Sequence, residues 1–185
     1  MNDSSKIIWF TGMSGVGKSF YSKYLEKKLR KNGYNVNILD GDTIRSKYNI
    51  PVGFSYDEIC KNNLFISEIC QKEFLNFDIT IVSVISPYEE IRKLIRNIFK
   101  ENLFFIYIFA SIASLKERDT KGLYKRADNN EILNLIGYSK DSIYEIPKEP
   151  DLILDTSSKY KPKSNYKLLD NFLIEYIYKN KEKQN

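Results

Sequence analysis

The feature that most limits the possible fold is a glycine-rich segment that directly follows a short apolar run. The run KIIWF at residues 6–10 is rich in β-branched and aromatic residues, which is typical of a buried strand. The segment GMSGVGKS at 12–19 comes next, and apolar residues at helical spacing continue from it over 19–33. This order predicts a strand, a glycine turn and a helix, with the turn shaped to approach a ligand closely.

The glycine turn carries a complete Walker A motif, Gly12-x4-Gly17-Lys18-Ser19. Glycines let backbone N–H groups point inward around phosphate oxygens, and the start of the following helix adds its positive end. Lys18 is expected to bridge the β- and γ-phosphates of ATP, and Ser19 to ligate Mg²⁺. The loop residues predicted to hold ATP are Gly12, Met13, Ser14, Gly15, Val16, Gly17, Lys18 and Ser19.

Apolar runs alternate with helical patterns along the whole chain. The predicted strands are 6–10, 35–39, 78–84, 103–110 and 151–156. The predicted helices are 19–33, 55–76, 87–102 and 164–180, and Ser55 with Glu58 forms a capping-box pattern. The alternation predicts an α/β fold: one domain over 1–185, with a five-stranded parallel sheet covered by helices on both faces.

A long polar connection, residues 119–150, separates the fourth and fifth predicted strands. A connection of this length is either an insertion or a functional lid. Its start is basic, with Arg118, Lys121, Lys125 and Arg126. This charge favours a lid that closes over phosphates and excludes water, with Arg118 and Lys121 on the ATP; a solvated basic loop is the alternative.

Two further motifs end strands at the edge of the sheet where ligands of α/β proteins bind. After the second strand, LDGDTIR places Asp40, Asp42 and Arg45 near the phosphates. A carboxylate there can accept a hydroxyl proton or hold Mg²⁺ through water, whereas Asp42 alternatively caps a helix. After the third strand, Ser86 in ISPY either faces the site or caps the helix that starts at Pro87.

Composition excludes several classes of protein. The chain has no histidine, which removes Ser-His-Asp and Cys-His catalysis and histidine-bound metals. Its two cysteines, Cys60 and Cys70, fit packing on one helix rather than a zinc site. The net charge of +5 comes from dispersed lysines, which does not favour a nucleic-acid binder. Without a long apolar run or a signal peptide, we expect a cytoplasmic protein with no membrane partner.

The motifs together resemble those of the adenylylsulfate (APS) kinase family. The matching stretches between residues 9 and 156 are WFTGMSGVGKS, LDGDTIR, GFS, ISPY, RDTKGLYKRA and PDLILDT. The resemblance implies a P-loop kinase fold, Mg²⁺, a homodimer and transfer of the γ-phosphoryl group of ATP to the 3′-hydroxyl of APS. It also implies that Lys18, Asp40 and Ser86 are catalytic, with Asp40 as base and Ser86 hydrogen-bonded to the acceptor, since in-line transfer needs no phosphoserine.

The acceptor side departs from the family pattern. The family continues past GFS with xxDRxENIRR, whereas this chain has Ile59, Lys61, Leu64 and Phe65 in place of the first arginine, the glutamate and the arginine pair. Leu135 stands where the family has a base-stacking phenylalanine. The residues that the resemblance assigns to the acceptor are Asp42, Arg45, Phe54, Asn62, Ile85, Ser86, Lys121 and Leu123.

Arginine side chains are the usual ligands of sulfate and phosphate. The absence of the family's arginines is therefore what we expect if this enzyme uses a different acceptor. Three interpretations therefore stay open. The first is APS, as in sulfate assimilation. The second is another nucleotide, such as cytidine diphosphoramidate in capsule phosphoramidate biosynthesis. The third is an ATP-binding module without catalysis.

Overall fold

The computed structural model describes residues 5–49, 53, 55–157 and 162–179. Within these residues, five parallel strands form one sheet in the order β2-β3-β1-β4-β5. The strands are β1 Lys6–Thr11, β2 Val36–Asp40, β3 Ile79–Ser83, β4 Leu103–Phe109 and β5 Leu152–Asp155. The predicted five-stranded parallel sheet is confirmed, because each strand lies where the sequence places it.

Helices connect the strands. They are α1 Lys18–Lys31, α2 Gly41–Lys47, α3 Tyr56–Glu73, α4 Glu89–Phe99, α5 Ile112–Arg118, α6 Leu123–Asp128 and α7 Pro162–Phe172. Two 3-10 turns, Phe74–Asn76 and Lys100–Asn102, extend α3 and α4, and π-helical residues Leu173–Tyr178 continue α7. The four predicted helices are therefore confirmed, and the short helices α2, α5 and α6 are additional.

Both faces of the sheet are covered, as the apolar runs predict. Successive side chains of β1 point to opposite faces and are buried from Ile7 onward: Ile8 and Phe10 pack on one side, Ile7 and Trp9 on the other. The first side is closed by α1 and α7, and the second by α3 and α4. Among the described residues, no helix has both the length and the apolar content needed to cross a bilayer.

Two helix caps that the sequence analysis gave as alternatives, at Asp42 and Ser86, are wrong. Asp40, not Asp42, caps α2, because its Oδ1 accepts hydrogen bonds from the backbone N–H groups of Asp42 (3.0 Å) and Thr43 (3.4 Å). Ser86 caps no helix, since α4 begins at Glu89 rather than at Pro87. The carboxylate of Glu145 accepts the hydrogen bond of the Glu89 N–H at 2.6 Å instead.

The predicted capping box at the start of α3 is confirmed. The Ser55 hydroxyl accepts from the Glu58 N–H at 3.3 Å, and the Glu58 carboxylate accepts from the Ser55 N–H at 3.1 Å. Two N–H groups that a helix start leaves unpaired are thereby satisfied.

We expect Ser55→Ala to lower the free energy of unfolding by about 1 kcal/mol, because α3 loses its cap. Urea denaturation followed by circular dichroism measures this change. Ser55→Thr keeps the hydroxyl and should stay close to the wild type. An unchanged midpoint for Ser55→Ala would contradict a stabilising role for the box.

Candidate active site

The glycine turn lies at the carboxyl end of β1, near the centre of the sheet, and leads into α1. Gly12 has a φ of 148°, and a Cβ atom on it would lie 2.1 Å from the carbonyl oxygen of Ile108 on the neighbouring strand. Gly17 has a φ of 103° and forms the N-terminal cap of α1 in a left-handed conformation. Both positions therefore require glycine, and together they aim the start of α1 at the space above the turn.

A cavity of about 530 Å³ occupies that space. Its size suits a nucleotide-sized ligand. The predicted site residues that line it are Ser14, Gly15, Val16, Gly17, Lys18, Ser19, Asp40, Asp42, Arg45, Ile85, Arg118 and Lys121. The Walker A loop, the DGD segment and the start of the 119–150 connection thus meet at one cavity.

Lys18 is folded back onto the loop that carries it. Its Nζ donates to the carbonyl oxygens of Gly12 at 2.7 Å and Met13 at 2.9 Å. Gly12 and Met13 do not line the cavity, so in this state they anchor the lysine. Burial, with the Lys121 ammonium as a second cause, lowers the pKa of Lys18 to about 7.

Asp40 is held in one orientation beside the Walker A serine. Its Oδ1 is fixed by the two N–H groups of the α2 cap, and its Oδ2 accepts a hydrogen bond from the Ser19 hydroxyl at 2.9 Å. The hydroxyl predicted to ligate Mg²⁺ and the carboxylate predicted to act as base are therefore in direct contact.

Asp42 joins the basic connection to α2. Its carboxylate pairs with Arg45 on the same helix and with Lys121 at 2.8 Å. Burial acts to raise the pKa of Asp42, but the Lys121 ammonium and the Arg45 guanidinium together hold it below its ordinary value. These exposed contacts place Lys121 at the mouth of the cavity.

Ser86 is enclosed, with none of its surface exposed. Its hydroxyl donates to Asn63 Oδ1 at 2.6 Å and accepts from Trp9 Nε1 at 3.0 Å. Its φ of 44° is left-handed, and its carbonyl oxygen accepts from Arg92 Nη1 at 2.7 Å. Ser86 lines neither cavity, so contact with an acceptor would require this network to rearrange.

A second cavity of about 120 Å³ adjoins the first. Arg45 and Ile85 line both cavities, and Asn62 lines the second together with the departing residue Ile59. The Oδ1 atom of Asn62 is buried and has no hydrogen-bond partner within the described part of the chain. A ligand N–H group in this cavity would satisfy it.

Besides Ser86, the described structure does not bring the predicted acceptor residues Phe54 and Leu123 to either cavity, nor Leu135, the replacement of the family's stacking phenylalanine. Phe54 lies outside the described residues. Leu123 lines neither of the two cavities and packs against the core around α1. Leu135 is buried in that same core, and its neighbour Ile136 lines the second cavity instead.

Several cavity residues escaped the sequence analysis. Ser83, Tyr21, Thr156 and Asn165 all line the first cavity. Asn165, on α7, donates to the Tyr21 hydroxyl at 2.9 Å and to the carbonyl of Asp155 at 2.9 Å. It carries no motif that could have identified it. Ser83 ends β3, and counting alternate residues from Ile79 would have placed it on the α1 face.

The end of the 119–150 connection packs beneath the glycine turn. The Tyr144 hydroxyl lies 2.8 Å from the Thr11 hydroxyl at the end of β1. Arg92, which is buried, donates through Nη2 to the Glu89 carboxylate at 2.7 Å and to the Glu145 carbonyl at 2.8 Å. The connection is thus tied to the site at both of its ends, by Lys121 and by Tyr144.

A parallel sheet with a Walker A loop at its centre and a basic connection over the cavity defines a kinase of the P-loop type. The chain belongs to the adenylylsulphate kinase family, which it matches over residues 4–155. This confirms the family that the sequence motifs indicate.

The relatives agree with this assignment. Adenylyl-sulfate kinase of Bacillus licheniformis is 38% identical over 94% of this chain and 85% of its own length. That of Bacteroides thetaiotaomicron is 40% identical over 92% of this chain and 84% of its own length. The structure of the Mycobacterium tuberculosis APS kinase in complex with AMPPNP and APS is 31% identical, with a TM-score of 0.78 over 90% of this chain and 98% of that one.

The lowered pKa of Lys18 predicts that nucleotide binding takes up protons. At pH 8 roughly nine-tenths of the Lys18 amines are neutral if their pKa is about 7. Phosphate oxygens favour the charged amine, so ATP binding should take up close to one proton. Calorimetric titration in two buffers with different heats of ionisation measures this number.

Lys18→Arg is the matched control, because a guanidinium is already charged at pH 8. This variant should bind ATP with almost no proton uptake. Equal uptake by the wild type and Lys18→Arg would show that the protons go to another group.

Proposed function

We propose that the protein is an adenylylsulfate kinase, which transfers the γ-phosphoryl group of ATP to the 3′-hydroxyl of APS. One contact carries the proposal: Ser19 of the Walker A loop and Asp40 of the DGD segment are joined at 2.9 Å. This contact lines the phosphate cavity, which shares Arg45 and Ile85 with the second cavity. The named relatives support APS as the acceptor.

On the donor side, the loop N–H groups and the start of α1 bind the phosphates. Lys18 leaves the carbonyl oxygens of Gly12 and Met13 and takes a proton as it pairs with phosphate oxygens. Arg118 supplies a further donor, since its Nη2 is buried and has no hydrogen-bond partner in the described ranges. Lys121 can exchange its pairing with Asp42 for the phosphates.

The donor set at Ser19 and Asp40 fits Mg²⁺. This ion keeps several waters and is bound by one or two carboxylates together with substrate phosphates. Ser19 would hold it directly and Asp40 through water. When bound, Mg²⁺ neutralises charge on the β- and γ-phosphate oxygens.

On the acceptor side, Asp40 orients the 3′-hydroxyl and accepts its proton as the oxygen attacks phosphorus. The two N–H groups of the α2 cap keep the carboxylate aimed at the site. Asp42, Arg45, Asn62, Ile85 and Lys121 form the acceptor pocket in this proposal, and residues 119–150 act as a lid that excludes water. A homodimer remains a prediction of the family resemblance, and a cytoplasmic location remains a prediction from the sequence.

The direct test follows ADP release with Mg-ATP and either APS or cytidine diphosphoramidate as acceptor. We expect turnover with APS and a product that carries a 3′-phosphate, identified by mass spectrometry. Lys18→Ala serves as the control for contaminating kinases and should lose about a hundredfold or more of the rate. Turnover with the cytidine compound alone would reject APS as the acceptor.

We expect Asp40→Asn to lower turnover about a hundredfold while the affinity for ATP is largely kept. An amide can still accept from the α2 N–H groups but cannot take the proton of the 3′-hydroxyl. Steady-state rates combined with equilibrium ATP binding separate the two effects.

Asp42→Asn removes the same charge two residues away and is the comparison variant. It loses the Lys121 and Arg45 ion pairs but not the contact with Ser19. A rate loss for Asp42→Asn as large as that for Asp40→Asn would mean that local charge, rather than proton transfer, explains the effect.

A further inference from the structure

Two buried hydroxyl groups on β3 have no hydrogen-bond partner among the described residues. They belong to Ser83, which is 3% exposed, and Thr80, which is 0% exposed. An unpaired buried hydroxyl destabilises a fold, so each such group calls for a physical reason. The two groups differ in one respect: Ser83 lines the phosphate cavity, and Thr80 does not.

The position of Ser83 places it at the reacting end of the sheet. It is the last residue of β3, which lies between β1 and β2, and it pairs in register with Phe10 on one side and Asp40 on the other. Ile79 and Ile81, four and two residues earlier, pack in the core beneath α1. Because side chains alternate along a strand, Ser83 faces the α1 side and Thr80 the opposite side.

We propose that the Ser83 hydroxyl is a positioning residue for the metal–nucleotide complex, where it accepts a hydrogen bond from a water of the Mg²⁺ hydration shell. The inference rests on the proposed function, because it requires Mg-ATP in the first cavity. Mg²⁺ gives up its waters reluctantly, and these waters need acceptors in the protein. Asp40 offers one on the β2 side, and Ser83 offers a neutral one on the β3 side.

The chemistry of this corner of the site supports the assignment. P-loop proteins hold Mg²⁺ with the Walker A hydroxyl and an aspartate. Here Asp40 already accepts from Ser19 and from two N–H groups of the α2 cap. A second acceptor that is buried and uncommitted can fix a metal-bound water without adding negative charge beside the phosphates.

The test compares Ser83→Ala with Thr80→Val, which also removes an unpaired hydroxyl from β3 but on the other face. The measurement is binding of AMPPNP, a nonhydrolysable ATP analogue, as a function of Mg²⁺ concentration, with Mn²⁺ paramagnetic resonance as a second probe of the metal. For Ser83→Ala we expect half-maximal binding to need about fivefold more Mg²⁺, the effect of one lost hydrogen bond. AMPPNP binding in EDTA, without metal, should be the same for Ser83→Ala and the wild type. Thr80→Val should need as much Mg²⁺ as the wild type, and so should Ser83→Thr, which keeps the hydroxyl.

A second readout separates this role from a purely structural one. Without nucleotide, Ser83→Ala should unfold at the same temperature as the wild type or higher, because the variant removes an unpaired buried group. A lower unfolding temperature without nucleotide would indicate a structural role and overturn the proposal.

Two binding results would also overturn it. An unchanged Mg²⁺ requirement in Ser83→Ala would show that the hydroxyl does not contact the metal shell. Weaker binding in EDTA would place the hydroxyl on the nucleotide itself. If the wild type fails to bind AMPPNP, the proposed function falls as well, whereas a binding wild type with no effect at Ser83 rejects this inference alone.

Discussion

The hydrogen bond from the Ser19 hydroxyl to the Asp40 carboxylate is the contact on which the arrangement of the site depends. It joins the start of α1, which follows β1, to the end of β2, and β3 lies between these two strands in the sheet. Gly12 and Gly17 make it possible, because only their backbone conformations bring Ser19 to this place. The α2 cap completes it by fixing the other end of the carboxylate.

A second set of contacts ties the acceptor side to the same centre. Arg92 binds the carbonyl oxygens of Ser86 and Glu145 at once, so the loop after β3 and the end of the 119–150 connection are held together. A buried guanidinium needs such partners, because leaving its charge unpaired would be strongly destabilising. Tyr144 then carries this contact network to Thr11, immediately before the glycine turn. A movement of the 119–150 connection would therefore displace the loop that is proposed to hold the phosphates.

The fold was largely predictable from the sequence, for identifiable reasons. Short apolar runs that alternate with helical patterns are typical of the strands of a parallel sheet, and each strand begins and ends within one residue of its expected bounds. The Ser55 capping box was also readable, since both of its partners lie within one turn. The start of α4 could not be predicted in this way, because the group that accepts from its first N–H is Glu145, which is distant in sequence.

The site residues also fall into two groups, those that a local sequence pattern identifies and those that it does not. The residues of contiguous motifs, such as the Walker A loop and the DGD segment, were found because spacing alone brings them together. Asn165 reaches the cavity only through the packing of α7, which no short pattern encodes, whereas the alternation of side chains along β3 could have identified Ser83. Matching this chain to the family motif placed Leu135 in the acceptor pocket. In the structure its neighbour Ile136 lines the second cavity, so the motif was one residue out of register with the site.

The state of Lys18 has a chemical consequence beyond binding. An amine with a pKa of about 7 is a nucleophile at neutral pH, unlike an ordinary surface lysine. The two hydrogen bonds that Lys18 donates to carbonyl oxygens are the two that a neutral amine can make while its lone pair stays available. We therefore expect Lys18 to react with acylating reagents at neutral pH, and a bound nucleotide should slow that reaction, because its phosphate oxygens favour the protonated amine.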